Sequence, residues 1–152
     1  MIENRDFAVE LEIHETRDIT DKHVNGALTV IYRDYDNIIE NQPRMVYSNL
    51  IYPGEIKGPH VHIKRNSYFV CVQGKVIFIL KEKNGNYIEI ESSEKKPILV
   101  KVPKGMASAH LNPTKEVGRI IALADIAWRP NDDEMFNETF DGYDYKKWMI
   151  NQ

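Results

Sequence analysis

From residue 44 to residue 128 the chain sets short apolar runs between turn residues about every ten positions. RMVYSNLI (44–51) alternates apolar and polar side chains with a period of two, the pattern of a half-buried strand. YFVCVQ (68–73) and KVIFILK (75–81) are continuously apolar at their centres, which predicts strands covered on both faces and broken at Gly74. Asn84-Gly85 is a strong hairpin signal and leads into YIEIE (87–91). PILVKV (97–102) runs into a turn at Pro103-Lys104-Gly105, and GRIIALADIAW (118–128) reads as another buried strand. Upstream, ALTVIYR (27–33) predicts a strand, DYDNIIENQ (34–42) a polar loop or short helix, and Tyr52-Pro53-Gly54 a turn. DGYDYKKWMINQ at the end has room for one short helix. Many short strands with so little helix predict an all-β sandwich or barrel.

Composition narrows the setting. At 152 residues the chain suits one domain, 1–152, with a substantial core. Hydrophobic residues make up 42% and charged residues 28%, the balance of an ordinary globular protein. A net charge of -3 carries no general nucleic-acid footprint, and no apolar run approaches the ~20 residues of a membrane span. The start, MIENRDFAVELEIHE, is too charged for a secretory signal. One cysteine, Cys71, allows no internal disulfide and fits a reducing compartment; inside YFVCV it reads as a buried structural thiol. A cytoplasmic protein that binds neither membrane nor nucleic acid is the expectation.

Candidate chemistry begins at GPHVHIKRNSYFVCVQG (58–74). In a strand, His60 and His62 project from the same face. Five residues separate Gly54 from His60, four separate His62 from Ser67, and six more lead to Gly74. That spacing resembles the first motif of the cupin superfamily, with Ser67 where its glutamate stands. PKGMASAHLN (103–112) resembles the second motif, with Pro103, Gly105, Asn112, and Ser108 in the histidine position. The resemblance implies a cupin-type jelly-roll β-barrel, a β-sandwich enclosing a pocket. A cupin metal site resembles a three-histidine, one-glutamate set, and two of those four positions here are serine, a poor ligand for iron, manganese, nickel or zinc. His110 lies two residues beyond Ser108 and is a substitute only if the strand stays regular, so no metal and no cofactor is expected.

Among metal-free cupins the chain resembles the nucleotide-sugar branch: dTDP-4-dehydrorhamnose 3,5-epimerases and dTDP-4-keto-6-deoxyglucose 3,4-ketoisomerases. The likeness rests on YPGEIKGPHVHIKRNSYFVCVQGKVIFIL (52–80), KPILVKVPKG (96–105) and WRPNDDE…YDYKKW (128–148). It implies a homodimer that acts on a nucleotide sugar, expected to be dTDP-linked. A ketone at C4 acidifies the hydrogens on C3 and C5, so a base beside the ring can leave an enolate that needs a donor or cation at its oxygen. His60 matches the family's base; imidazole, with an ordinary pKa of about 6.5, suits that task. His62 matches the second histidine of the ketoisomerases, and Lys57 the basic residue that contacts the diphosphate. The family's lysine near the first barrel strand falls at or near Ser67, and Lys64 or Arg65 from the neighbouring turn would supply its charge. The epimerases' tyrosine in Y-x-P is here Trp128, whose indole N–H is not a usable acid.

The expected site therefore has His60, His62 and Lys64 as catalytic residues. Lys57, Tyr47, Asn49, Ser67, Ser108, His110 and Trp128 are expected to contact substrate. Tyr47 and Asn49 share one strand face, with cross-strand packing the alternative for Tyr47. Asp125, within an apolar strand, needs a partner or an outward face. Tyr143, Tyr145 and Trp148 either stack a base or seal the barrel, whereas Asp141, Asp144, His14 and His23 read as surface residues. Two rivals to the isomerase stay open: a non-catalytic sugar-binding cupin, and a metal-dependent cupin oxygenase using His60, His62 and His110.

Overall fold

The computed structural model describes residues 6–149; the first five residues of the charged start and the last three of the chain lie outside them. The strands are β1 (Ala8–Glu10), β2 (His14–Arg17), β3 (Val24–Leu28), β4 (Met45–Ile51), β5 (Ile56–His62) and β6 (Ser67–Gln73). They continue with β7 (Lys75–Lys81), β8 (Tyr87–Ser93), β9 (Ile98–Val102), β10 (Ala107–Leu111), β11 (Gly118–Ala124) and β12 (Met135–Asn137). One 3₁₀ turn at Tyr145–Trp148 stands where a short helix was expected, capped by Asp144, whose carboxylate accepts from the Lys146 N–H. Two five-stranded antiparallel sheets, β1-β9-β6-β11-β4 and β12-β5-β10-β7-β8, face each other as the sandwich. A separate exposed hairpin pairs β2 with β3. No helix among the described residues is long and apolar enough to cross a membrane.

The continuous apolar runs follow from covering on both faces. Phe69 and Cys71 of β6, and Val76, Phe78 and Leu80 of β7, point between the sheets with Ile51, Ile120 and Val100. Tyr68 and Val70 point out of the same β6 and are covered by Ile31, Tyr32, Ile38 and Ile39. Ile77 and Ile79, the outward residues of β7, lie under Phe140, Tyr143, Tyr145 and Trp148. The aromatics near the end of the chain thus seal the sandwich. Each large side chain so buried contributes roughly 1.5–3 kcal/mol.

The strand predicted over 27–33 ends at Leu28. Its remaining apolar residues, Ile31 and Tyr32, serve as a cover on the outer face of β6 and leave ladder pairing behind. β4, β6, β7, β8 and β9 stand within two residues of their predicted bounds, and β11 ends at Ala124, short of Trp128. The hairpin at Asn84-Gly85 forms with Gly85 at φ 88°, and Gly105 makes its turn at φ 81°.

Candidate active site

Two strands of the second sheet supply one wall of a cavity of about 410 Å³ between the sheets. Its lining includes Lys57, His60 and His62 of β5 and Ser108 and His110 of β10, faced by Tyr47 and Asn49 of β4. The volume lies within the range of small-molecule ligand sites. A larger groove of about 550 Å³ near Lys101 and Tyr68 lacks a comparable set of convergent ionisable groups, its Lys101 being paired with Glu40.

A strict period of two would place Lys57 and His60 on opposite faces. The ladder instead shifts between β5 and β10, where His60 opposes Ser108 but Lys57 opposes His110, so β5 carries one extra residue. Gly58 makes that bulge at φ 91°, and a Cβ there would meet the Ser108 carbonyl oxygen at 2.8 Å. Lys57, His60 and His62 therefore all line one cavity.

The edge strand β12 fixes both imidazoles. Asn137 lies opposite His60, and its side-chain oxygen accepts from His60 Nδ1 at 3.1 Å. An amide oxygen only accepts, so Nδ1 carries a hydrogen in this arrangement, and in the neutral ring that fits it Nε2 is the acceptor. Glu134, just before β12, accepts from His62 Nδ1 at 2.8 Å, and Arg65 Nη2 donates to His62 Nε2 at 3.2 Å. Both His62 nitrogens are thus engaged. Burial lowers the His62 pKa, and the nearby Arg65 cation adds to that effect against the opposing pull of Glu134. Arg65 is buried, lies 3.8 Å from Glu134 and about 6.0 Å over the Tyr47 ring, and leaves its Nε without a hydrogen bond.

Lys64 points elsewhere: its ammonium bonds Asp132, and it is not part of the lining. Arg65 is the cation at the cavity from that turn. Its backbone N–H donates to Glu134 at 3.3 Å. Asp125 finds its partner in the next residue, Asn66, rather than in an imidazole: the carboxylate accepts from the Asn66 backbone and amide N–H groups at 2.9 and 2.8 Å. Asn66 in turn accepts from the Lys104 N–H at the next turn. Ser67 is buried away from the cavity with an unpartnered hydroxyl, and Trp128 is 66% exposed outside it. Lys57 donates across the cavity to Asn49. Tyr47 is half-buried, and burial raises its phenol pKa, so the ring holds its proton. Cys71 is fully buried, its pKa pushed up by burial to about 11.

Sequence reasoning missed Glu134 and Asn137. Their signal lay in DDEMFNE, a three-residue edge strand too short and too polar to read as one. The positions that resemble the cupin metal motif do not suit an ion here. Ser67 is outside the lining, and the nitrogen of His62 that would bind a cation already faces a guanidinium. The one cluster of acid and histidine ligand atoms among the described residues is an exposed turn, Asp18, Asp21 and His23.

The family model described as FdtA: WxcM-like, C-terminal matches residues 9–143. The chain belongs to that family. Within it, the β5 bulge, the paired histidines and the β12 clamp all fall inside the matched span. No curated protein matches the sequence. Among solved structures, the capsular polysaccharide assembling protein CapF of Staphylococcus aureus is similar at 26% identity and a TM-score of 0.59. That match covers 64% of this chain but 28% of CapF, so the chain spans little more than a quarter of that protein. ChmJ, a 3'-monoepimerase of Streptomyces bikiniensis in complex with dTDP-quinovose, is 15% identical with a TM-score of 0.69, over 86% of this chain and 67% of its own. The Legionella pneumophila dTDP-6-deoxy-D-glucose-3,5-epimerase RmlC, in complex with dTDP-4-keto-L-rhamnose, is 12% identical with a TM-score of 0.71, over 93% and 74%. At these identities ChmJ and RmlC show that the fold is shared.

Proposed function

We propose that the chain is an isomerase of a nucleotide-linked 4-keto-6-deoxyhexose, dTDP-linked, and that it moves the ketone from C4 to C3 in deoxysugar or cell-surface polysaccharide biosynthesis. The observation that carries this reading is the contact of His60 Nδ1 with the Asn137 side-chain oxygen, which leaves Nε2 of the ring to act at the cavity that His60 lines. The hydrogen on C3 is acidified by the adjacent ketone; His60 Nε2 takes it, and the electron pair moves onto O4. Arg65 supplies positive charge to that oxyanion from the cavity wall, and Lys57 faces the diphosphate. The proton of O3 passes to O4, the O3 pair forms the C3 carbonyl, and the C3=C4 pair takes the proton from the His60 imidazolium at C4. Base and proton stay on one face of the ring, which suits a site whose imidazoles share one wall and whose Trp128 lies outside the cavity. The dTDP-linked sugars held in complex by ChmJ and RmlC support a dTDP-sugar.

The competing outcome, inversion at C3, draws on Tyr47, which faces His60 from the opposite sheet and keeps its proton. Incubation with dTDP-4-keto-6-deoxyglucose in deuterated buffer, followed by NMR, separates the two. A 3-keto product is expected; C3 exchange with inversion and no 3-keto product assigns an epimerase, and no exchange at all removes the isomerase. His60→Asn should lower turnover by about 100-fold or more. A second copy of the chain is the proposed partner, supported by the exposed β2–β3 hairpin with Ile13, Val24 and Leu28 at its surface. Light scattering at twice the chain mass is the expected result.

A further inference from the structure

His110 is a cavity residue with no part in that scheme. His110 is 8% exposed and lies edge-on between Phe69, with ring centroids 4.5 Å apart, and Phe78, at 4.9 Å. Among the described residues neither of its nitrogens makes a hydrogen bond, yet the ring lines the cavity beside Ser108 and Lys57. A leucine would fill such a slot well; the fully buried unpartnered side-chain atoms among the described residues are Arg65 Nε and Ser67 Oγ, so the unbonded His110 nitrogens reach the cavity instead. The partner the slot leaves room for is one that arrives in the cavity.

Moving a ketone from C4 to C3 takes two proton transfers. One runs between carbons, C3 to C4, and one between oxygens, O3 to O4. His60 has a role in the first, and the second needs a group that donates and accepts at oxygen without changing charge. Resting on the ketoisomerase reading above, we propose that His110 is a catalytic residue whose ring N–H bridges O4 and O3 and relays the oxygen-bound proton between them. As His60 Nε2 removes the C3 proton, the C3–H pair becomes the C3=C4 bond and the carbonyl pair goes to O4. The His110 nitrogen gives its proton to O4 and takes the proton of O3. The O3 pair then forms the C3 carbonyl, and the C3=C4 pair takes the proton from His60 at C4. The ring is regenerated and no co-reactant is consumed. Burial, with Lys57, His60 and His62 nearby, holds the His110 pKa down to about 3 and keeps the imidazole neutral throughout.

The test compares ketone migration with deuterium wash-in at C3 for wild type, His110→Leu and His110→Gln on the same 4-keto sugar. Migration should fall about 100-fold or more in both variants, while wash-in falls less than about tenfold because the carbon base is untouched. Equal losses in the two rates, or migration by His110→Leu at the wild-type rate, would overturn the relay. Nitrogen NMR of the wild-type protein supplies a readout that needs no variant: one protonated and one bare His110 nitrogen from pH 5 to 8, against an imidazolium signal that would sink the proposal. Failure of the wild type to exchange C3 would instead remove the isomerase reading beneath it. Wild-type exchange with no 3-keto product would discard the relay and leave an epimerase.

Discussion

Glu134 accepts from the Nδ1–H of His62 and from the Arg65 backbone N–H and pairs ionically with the buried Arg65 guanidinium at 3.8 Å, while Arg65 closes the loop onto His62 Nε2. Truncation to Ala would strand a buried cation, so Glu134→Ala should cost about 3–5 kcal/mol in chemical denaturation. Replacing Arg65 and Glu134 together by Met and Leu should cost less than the single change, because no uncompensated charge remains. His110 writes itself into the acid limb of stability. Its pKa is low when folded and ordinary when unfolded, so the unfolded chain takes up the proton first as pH falls. The stabilisation present above pH ~6.5 is lost progressively towards pH ~3, about 2 kcal/mol of it between pH 7.5 and 5. His62 shifts in the same direction. His110→Leu should flatten that slope by about the same amount, measured as urea midpoints at the two pH values.

At the level of elements, the bulge in β5 decides which side chains meet. Gly58→Ala forces a positive φ and a Cβ onto the Ser108 carbonyl. A loss of roughly 2–4 kcal/mol is expected, with cavity binding of the nucleotide sugar weakened at temperatures where the protein stays folded. This is also where the sequence was only half legible. His60, His62, Ser108 and His110 could be placed on one face because β5 and β10 are strands with a period of two. That Lys57 joins them needed an extra residue, and a bulge leaves no periodic mark. Lys64 and Arg65 are adjacent in a turn, where no period decides which one faces inward. Glu134 and Asn137 act through pairing with a strand seventy residues away, and one short polar segment gives no hint of its partner.

For the molecule as a whole, core and site share material. Phe78 packs on Phe69 with centroids 6.0 Å apart and on His110 with the same ring. Phe78→Leu should cost about 1–2 kcal/mol by calorimetry yet lower ketone migration by more than that loss suggests, since His110 loses one of its two flanking rings. Architecture was the most legible level: runs such as VIFIL announce burial on both faces, and the covers duly come from residues 31–39 and 140–149. The edge strand β12 has a further consequence, one of time. It is three exposed residues long and is hydrogen-bonded along one side only, to β5. Segments of that kind open far more often than the global fold does. Each opening frees the His60 ring from Asn137 while His62 keeps Glu134 and Arg65, so the fraction of molecules with His60 held in place follows the local opening equilibrium of β12. Amide exchange at Phe136 and Asn137 would read that equilibrium directly, and mild urea should silence the protein well before it unfolds.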